Sequence, residues 1–289
     1  MKFAIVGGDR RSVLLAESLQ KDGHRVCCYA LEKAELGGNV KAGCLPSCVY
    51  GADCVVLPMP SENGGIVNTP LSAVTLRMSE LITTLWSGQL LCGGKFSDET
   101  NRSAAEAGIC VRDLLCDSRY CAMNAALTAE NALALLIENG DGSLFGSRAL
   151  VCGWGRIGKG LAFRLRSLGC RVTVAARKVQ SRAECASLGF ESLDYDELER
   201  QIGGFSYIIN TAPARVLSDG LLCLIDENAL LLELASPPGG FDRKLAQNIS
   251  LHTLAAPGLP GRFSPRAAAE LMKQTIYKEM EFGMQEGTI

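Results

Sequence analysis

Residues 148–158 read Arg-Ala-Leu-Val-Cys-Gly-Trp-Gly-Arg-Ile-Gly, and this stretch decides how the second half of the chain folds. Its apolar run leads into three glycines with the spacing GxGxxG: Gly153, Gly155 and Gly158. The leucines that follow are spaced as on one face of a helix, and Gly169 ends that helix before a second apolar strand at 172–176. The order strand, glycine turn, helix, strand is what makes the glycine motif specific.

Such a βαβ unit can hold a dinucleotide. Gly153 permits the tight turn, Gly155 lets a pyrophosphate approach the backbone, and Gly158 lets helix and strand pack closely. The N-terminus of the helix then faces the anion. We predict cofactor contacts along the whole turn, which also contains Trp154, Arg156 and Ile157. The alternative is a βαβ unit with a purely structural role.

The end of the second strand indicates which dinucleotide is bound. NAD-binding domains usually carry Asp or Glu about 20 residues after the motif, where it bonds the ribose 2′-hydroxyl. This chain has Arg177 and Lys178 there. A guanidinium binds a 2′-phosphate through bidentate, charge-assisted hydrogen bonds. NADP is therefore the predicted cofactor and NAD remains possible; the alternative is that both cations lie in an ordinary solvated loop.

The composition fits two compact α/β domains. The chain has 289 residues, of which 47% are hydrophobic and 31 are glycine. A net charge of −2 without a Lys/Arg block argues against nucleic-acid binding. No uninterrupted apolar run reaches membrane-spanning length, and the N-terminus reads as a strand rather than a signal peptide. We expect a cytoplasmic protein without nucleic-acid or membrane partners.

Cysteine and histidine usage predicts no metal site. None of the thirteen cysteines forms a Cys-x-x-Cys pair, and most lie in apolar segments, as buried thiols of a reducing compartment do. The two histidines are interpreted as structural, with His24 solvated in a turn and His252 near a strand end.

The two halves of the chain resemble each other. Gly7, Leu15 and Gly23 recur as Gly153, Leu161 and Gly169, at one constant offset. We predict two tandem doubly wound parallel-sheet (Rossmann-like) domains with a cleft between them. The first, a flavodoxin- or Rossmann-like substrate domain, spans 1–122, with a C-terminal helix 265–289 packing back on it. The second spans 123–264 and consists of a bridging helix and the NAD(P)-binding domain.

Apolar runs and cap signals place the remaining elements. The predicted strands lie at 53–57, 90–92, 207–211, 230–235 and 250–255. The predicted helices lie near 69–86, 97–107 and 121–139, besides the C-terminal one.

In open α/β sheets ligands bind at the carboxyl ends of the strands. Three predicted strands of the second domain end in small, turn-forming residues, which would let a flat cofactor ring lie close to the backbone. The predicted cofactor contacts there are Thr211, Ala212, Pro213, Ala235, Ser236 and Pro257. The alternative is that Pro and Gly merely mark turns.

Charged residues near strand ends of the first domain are the candidates for chemistry. Arg11 could bind a substrate carboxylate, although exposed arginines are usually just solvated. Asp9, and Glu130 on the bridging helix, are the carboxylates that we place nearest the cleft, and they are the catalytic candidates. Asn124 and Thr128 on that helix are predicted to face the substrate.

Several blocks together resemble the family of the dipicolinate synthase A subunit over nearly the whole chain. They are Gly7-Gly8-Asp9-x-Arg11, Asn124 with Thr128-x-Glu130, Gly153-x-Gly155-Arg156-x-Gly158, Ala176-Arg177, Asn210-Thr211-x-Pro213, Ala235-Ser236-x-Pro238-Gly239-Gly240 and Ala256-Pro257-Gly258-Leu259-Pro260-Gly261. The chain departs from the family pattern at Leu127, at Glu233 and at Pro265-Arg266-Ala267-Ala268.

The resemblance implies NAD(P)-dependent oxidation of a dihydrodipicolinate-type precursor from lysine biosynthesis to pyridine-2,6-dicarboxylate in the mother cell of a spore-forming bacterium. It also implies a flavoprotein-like partner, the B subunit of the synthase, and we expect a homo-oligomer. The small dicarboxylate substrate would be bound by Arg11, Asn124, Thr128, Ser236, Gly258 and Arg266.

Two other functions stay open. A dehydrogenase of 2-hydroxy or amino acids would share the tandem architecture, but it needs an acid/base pair, for which only His252 and Lys95 are candidates. A non-catalytic NADP-binding subunit is the other.

Overall fold

The computed structural model describes residues 1–285, and for 282–285 it describes the backbone only. The end of the predicted helix 265–289 therefore lies outside the described residues. The chain divides into two compact units. Unit 1 consists of residues 1–124 and the C-terminal stretch from Gly261 onward, and unit 2 consists of residues 125–260.

Unit 1 is built on a six-stranded parallel sheet and a small antiparallel hairpin. Its strands are β1 (Lys2–Val6), β2 (Arg25–Tyr29), β3 (Val40–Lys41), β4 (Cys54–Val56), β5 (Glu62–Asn63), β6 (Ile66–Val67), β7 (Leu90–Gly93) and β8 (Cys110–Asp113). Its helices are α1 (Arg10–Lys21), α2 (Leu45–Val49), α3 (Met78–Thr84), α4 (Asp98–Glu106) and the short 3₁₀ helix Leu114–Cys116. The sheet order is β3-β2-β1-β4-β7-β8.

Unit 2 repeats this plan. Its strands are β9 (Arg148–Cys152), β10 (Arg171–Ala175), β11 (Glu191–Leu193), β12 (Tyr207–Asn210), β13 (Leu230–Glu233) and β14 (His252–Ala255), in the order β11-β10-β9-β12-β13-β14. Its helices are α6 (Arg156–Ser167), α7 (Val179–Ser187), α8 (Asp219–Leu222) and α9 (Arg243–Asn248), with 3₁₀ helices at Tyr195–Arg200 and Ile202–Gly204. Helices α5 (Ser118–Asn139) and α10 (Leu259–Phe263) run across the boundaries between the units, and α11 (Pro265–Gln285) belongs to unit 1. The predicted pair of doubly wound parallel sheets is confirmed.

Each sheet is covered on both faces, so its central strand is apolar after its first residue. In β9, Ala149 and Val151 join one buried cluster, whereas Leu150 and Cys152 join the cluster on the other face. All four side chains are fully buried. This alternation within an apolar run is the pattern that the sequence shows before the glycine motif.

Helix α11 packs along α1 within unit 1. Lys273 pairs with Asp22 at 2.8 Å, and the Tyr277 hydroxyl donates to the same carboxylate at 2.7 Å. His24 was predicted to be solvated, and this is wrong. Its ring is half-buried, packs at a tilt against the Phe3 ring and lies 2.9 Å from the Tyr277 hydroxyl.

The predicted helix at 69–86 is wrong in its first half, because helix α3 begins only at Met78. The preceding residues form a loop held by short-range side-chain bonds. The Thr69 hydroxyl donates to the Val74 carbonyl, and the Ser72 hydroxyl accepts from the Val74 amide. Such Ser and Thr bonds compete with helix formation.

Among the described residues, α5 is the one helix that is long and apolar enough to cross a membrane by length and composition. Core helices pass the same test. Ala129, Ala132 and Leu136 of α5 are fully buried in a core cluster of unit 2, so we interpret α5 as a core helix.

Candidate functional site

The glycine turn of unit 2 has the geometry that a dinucleotide requires. Gly153 has a φ of 103°, a left-handed conformation that favours glycine. A Cβ on Gly153 would lie 2.7 Å from the Thr211 hydroxyl oxygen, and a Cβ on Gly158 would collide with the Gly153 carbonyl. A Cβ on Gly155 would meet nothing within 4 Å. Two glycines therefore serve close packing, while the third leaves open space for a ligand.

The N-terminus of α6 is open to an anion. Its N-cap residue is Gly155, and no side chain caps the helix there. The first amides of a helix have no acceptor within the helix, and they carry the positive end of its dipole. Open space at Gly155 and uncapped amides beside it together fit a pyrophosphate.

Not every side chain of the turn is available to a cofactor. Trp154 is buried, and its ring packs edge-on to Phe190 with 5.5 Å between ring centroids. Ile157 packs against the same cluster, whereas Arg156 is exposed. Trp154 and Ile157 can therefore contribute their backbone to the predicted cofactor site, while their side chains support the core.

The end of β10 presents two exposed cations and one that is paired. Arg177 and Lys178 are exposed. Arg182 donates to the carbonyls of Ala176 and Arg177 at 2.7 and 2.9 Å, and it pairs with Asp194 at 2.5 Å. Arg182 thus orders the loop, on which Arg177 is exposed.

The ends of β12 and β13 are joined by a buried pair that the sequence analysis missed. The Asn210 amide donates to the Glu233 carboxylate at 2.7 Å and to the Ala212 carbonyl at 3.0 Å. Glu233 also accepts from the amides of Ala235 and Gly240, at 2.9 and 2.6 Å. These bonds fix the loops after β12 and β13, both of which carry predicted cofactor contacts. An acidic residue ending the otherwise apolar run Leu-Leu-Leu-Glu was the signal that could have revealed the pair.

The other strand-end residues of unit 2 lie at the surface. Thr211 donates its hydroxyl to the Cys152 carbonyl at 2.8 Å and is half-buried, as are Ala212 and Ala235. The predicted contacts that are exposed are Pro213, Ser236, Pro257 and Gly258. Gly258 has a φ of 68° with open space around a Cβ.

In unit 1 the predicted catalytic and substrate residues Asp9 and Arg11 pair with each other. The Arg11 guanidinium lies 2.8 Å from Asp9 Oδ2 and donates to the Met59 carbonyl at 2.6 Å. The Asp9 carboxylate also accepts from the Arg11 amide at 2.9 Å and so caps α1. Asp9 therefore anchors Arg11, whose side chain is only 12% exposed.

The remaining predicted residues lie in different surroundings. On α5, Thr128 is buried, Glu130 is exposed and Asn124 is half-buried. Because Thr128 and Glu130 are two positions apart on a helix, their side chains point to different sides. Arg266 is exposed and borders a cavity of about 610 Å³ between α1 and the start of α11. The roles of these four residues stay predictions.

All thirteen cysteines are free thiols, and most are buried, although Cys44, Cys116 and Cys223 are exposed. Within residues 1–285, no group of three His, Cys, Asp or Glu side chains is arranged to hold a metal ion.

Two family models match successive parts of the chain. The model for the N-terminal domain of the dipicolinate synthase A subunit matches residues 2–115. The model described as "D-isomer specific 2-hydroxyacid dehydrogenase, NAD binding domain" matches residues 113–232, which include the glycine turn. A nicotinamide dinucleotide is thus the class of cofactor that unit 2 fits, and an NAD(P)-dependent oxidoreductase is the class of protein.

Whole-chain relatives agree. The A subunit of dipicolinate synthase from Bacillus subtilis (strain 168) is 28% identical over 293 residues, which cover 99% of this chain and 98% of that protein. The crystal structure of the dipicolinate synthase A chain from Bacillus subtilis superposes with a TM-score of 0.84 at 26% identity, over 99% of this chain and 97% of that one. The A subunit of dipicolinate synthase from Bacillus halodurans, at 24% identity, has the same fold, with a TM-score of 0.83 over 96% of each chain.

Proposed function

We propose that this chain oxidises a dihydrodipicolinate-type precursor to pyridine-2,6-dicarboxylate with NADP. The premise is that the chain is a relative of the dipicolinate synthase A subunit, which its motifs indicate and the comparisons confirm. The observation that carries the proposal is the match along 99% of the chain. The precursor would derive from lysine biosynthesis, and the reaction would serve sporulation in the cytoplasm of the mother cell.

The residues of unit 2 fit the cofactor. The open space at Gly155 and the uncapped amides of α6 would hold the pyrophosphate. The exposed Arg177, beside a loop fastened by Arg182, would bind the 2′-phosphate and so favour NADP over NAD. The bound nicotinamide supplies a hydride acceptor. The loops fixed by Asn210 and Glu233 would keep the ring's surroundings in place.

The proposed reaction does not require a strong general acid or base. The dihydropyridine loses a hydride to the cofactor and a proton to solvent or a carboxylate, and the product ring becomes aromatic, so positioning does most of the work. Arg11 and Arg266 are the proposed partners of the substrate carboxylates. Because Asp9 holds Arg11 by two hydrogen-bonded oxygens, we assign Asp9 to positioning, and the exposed Glu130 stays the candidate proton acceptor.

The test uses the purified chain with NADP and the precursor generated by enzymes of the lysine pathway. We expect NADPH and dipicolinate to form in equal amounts, with dipicolinate detected by its ultraviolet absorption. The matched control is Gly155→Asp, which should lose turnover without losing the fold. Precursor consumed without dipicolinate, or no turnover with a bound cofactor, would contradict the proposed reaction.

The second candidate is a 2-hydroxy or amino acid dehydrogenase, favoured by the family model that matches residues 113–232. Of its two acid/base candidates, His252 begins β14 and thus lies at the amino edge of the sheet, away from the ligand edge. Lys95 is exposed just after β7, at the carboxyl edge. Turnover of 2-hydroxy or amino acids that is lost in Lys95→Met would favour this function.

The relatives carry the name of one subunit of a synthase, which supports a multi-subunit enzyme. We propose the flavoprotein-like B subunit of that synthase as the partner, besides self-association. Turnover by the isolated chain separates an enzyme from a non-catalytic NADP-binding subunit. Activity that appears only after the B subunit is added would favour the latter.

A further inference from the structure

Glu233 is a buried carboxylate at the ligand edge of the unit 2 sheet. It is the last residue of β13 and is 4% exposed. Its oxygens accept three hydrogen bonds from neutral groups, namely the Asn210 side chain and the amides of Ala235 and Gly240. These donors satisfy the buried oxygens of the carboxyl group.

The charge of this carboxylate is not neutralised. In the part of the chain that the structure describes, no Lys, Arg or His side chain pairs with Glu233. Neutral donors solvate a charge but leave it in place, and in a buried position it acts on its neighbours more strongly than in water. Charges that are neither paired nor exposed are uncommon in proteins, which makes this one worth a functional explanation.

Cys152, at the end of β9, lies two strands away from Glu233 at the same edge of the sheet. Cys152, Asn210 and Glu233 are aligned side by side across β9, β12 and β13. Burial, together with the negative charge of Glu233, raises the pKa of the Cys152 thiol to about 12. The Glu233 carboxylate therefore lies at the same edge of the sheet as the glycine turn, which begins directly after Cys152.

The strand order shows which half of the cofactor this edge would receive. Sheets with this order bind a dinucleotide across the central crevice, one mononucleotide on each half. Arg177, the proposed 2′-phosphate contact, follows β10 and so marks the half that takes the adenosine. The strands β12, β13 and β14 form the other half, which leaves the nicotinamide to the edge where Glu233 is buried.

We propose that Glu233 makes the nicotinamide half-site selective for the oxidised, positively charged ring over the neutral reduced ring. This inference rests on the proposed function, which requires a nicotinamide cofactor. An unneutralised negative charge in a poorly solvated place attracts a cationic ring and has no such attraction for the uncharged one. The consequence for an oxidising enzyme is that NADP enters readily and NADPH leaves readily.

The test compares the dissociation constants of NADP and NADPH for the full-length chain and for Glu233→Gln, measured by calorimetry without substrate. We expect the wild-type chain to bind NADP more tightly. In Glu233→Gln the ratio of the two constants should shift toward NADPH by about tenfold, the size of effect that one buried charge exerts on another nearby. Glu227→Gln, an exposed position before β13, is the matched control and should leave the ratio unchanged.

Glu233→Asp separates charge from geometry, since it keeps the charge while shortening the side chain. It should retain the wild-type ratio even where both affinities fall. Equal weakening of NADP and NADPH in Glu233→Gln would reduce Glu233 to a residue that only shapes the loops and would overturn the inference. If Glu233→Gln does not fold, a wild-type chain that prefers NADPH overturns it instead. A wild-type chain that binds neither form overturns the proposed function itself, a distinguishable result.

Discussion

Helices α1 and α6 begin at equivalent places in two sheets with the same strand order, but their N-termini are used differently. The constant offset between the two halves aligns Asp9 with Gly155, and both are N-cap residues with extended backbones. In unit 1 the Asp9 carboxylate accepts from the first turn of α1. In unit 2 the same place holds no side chain. One helix is therefore capped by the protein's own anion, while the other is left open for an external one.

The comparison shows that the fold alone does not make a nucleotide site. Position 12 in the first turn of α1 is a buried serine, whereas its equivalent in α6 is Gly158, which packs against the Gly153 carbonyl. The two turns thus differ at both of these positions, and only the turn of unit 2 has the glycines of the dinucleotide motif there.

The substitution with the largest expected effect is Gly155→Asp, which gives α6 of unit 2 the N-cap residue that α1 has in unit 1. The open space at Gly155 should accommodate the side chain, so the fold is kept. The carboxylate would bond the amides needed by the pyrophosphate and repel it, at a cost of about 3 kcal/mol or more, roughly a hundredfold in affinity. Titration with NADP measures the loss. Gly220→Asp, at an exposed glycine of α8, controls for the added charge. Unchanged NADP affinity in Gly155→Asp would refute the assignment of the pyrophosphate site to the glycine turn.

The second change, Arg177→Asp, tests the other feature that unit 1 lacks. It should weaken NADP by roughly ten- to a hundredfold, because a charge-assisted contact to phosphate is lost, and it should affect NAD far less. Arg200→Asp, at an exposed position that ends the 3₁₀ helix Tyr195–Arg200, is the control. Equal weakening of both cofactors would show that Arg177 does not recognise the 2′-phosphate.

Much of this comparison could be predicted from the sequence, since glycine spacing and apolar periodicity are local signals. The start of α3 and the surroundings of His24 could not, because they depend on hydrogen bonds made by Thr69 and on a tyrosine of α11 far along the chain. The Asn210–Glu233 pair likewise joins two strands that are adjacent only after folding. Sequence patterns predict elements, whereas partners across a sheet require its topology.

A third change removes the cap of unit 1. Asp9→Ala should cost about 1 kcal/mol of unfolding free energy, as the loss of an N-cap usually does, and should release Arg11 from its pair. We expect a lower thermal midpoint, a raised KM for the dicarboxylate and an unchanged affinity for NADP. Reduced NADP affinity would contradict the division of labour between the two units.

The smallest expected effect concerns helix α11, which packs along α1 in unit 1. Hydrogen bonds from Lys273 and Tyr277 lower the pKa of Asp22 below its ordinary value. The stabilisation is therefore present above the unfolded-state pKa of about 4 and is lost as the pH falls through the lower folded-state value. Because Asp22 is partly exposed, we expect less than about 1 kcal/mol. Unfolding of wild type and Asp22→Asn between neutral and acid pH measures it, and an identical acid response of both proteins would contradict the assignment.

The Asp9 carboxylate is also an intramolecular competitor of any anion that would bind at the N-terminus of α1. Because the carboxylate belongs to the N-cap residue of α1, its effective concentration at the Arg11 amide is on the millimolar scale or above, as short tethers provide. Any free phosphate ester would have to outcompete it at that concentration. We therefore expect the Asp9 carboxylate to keep the start of α1 closed to the nucleotides that unit 2 is proposed to bind.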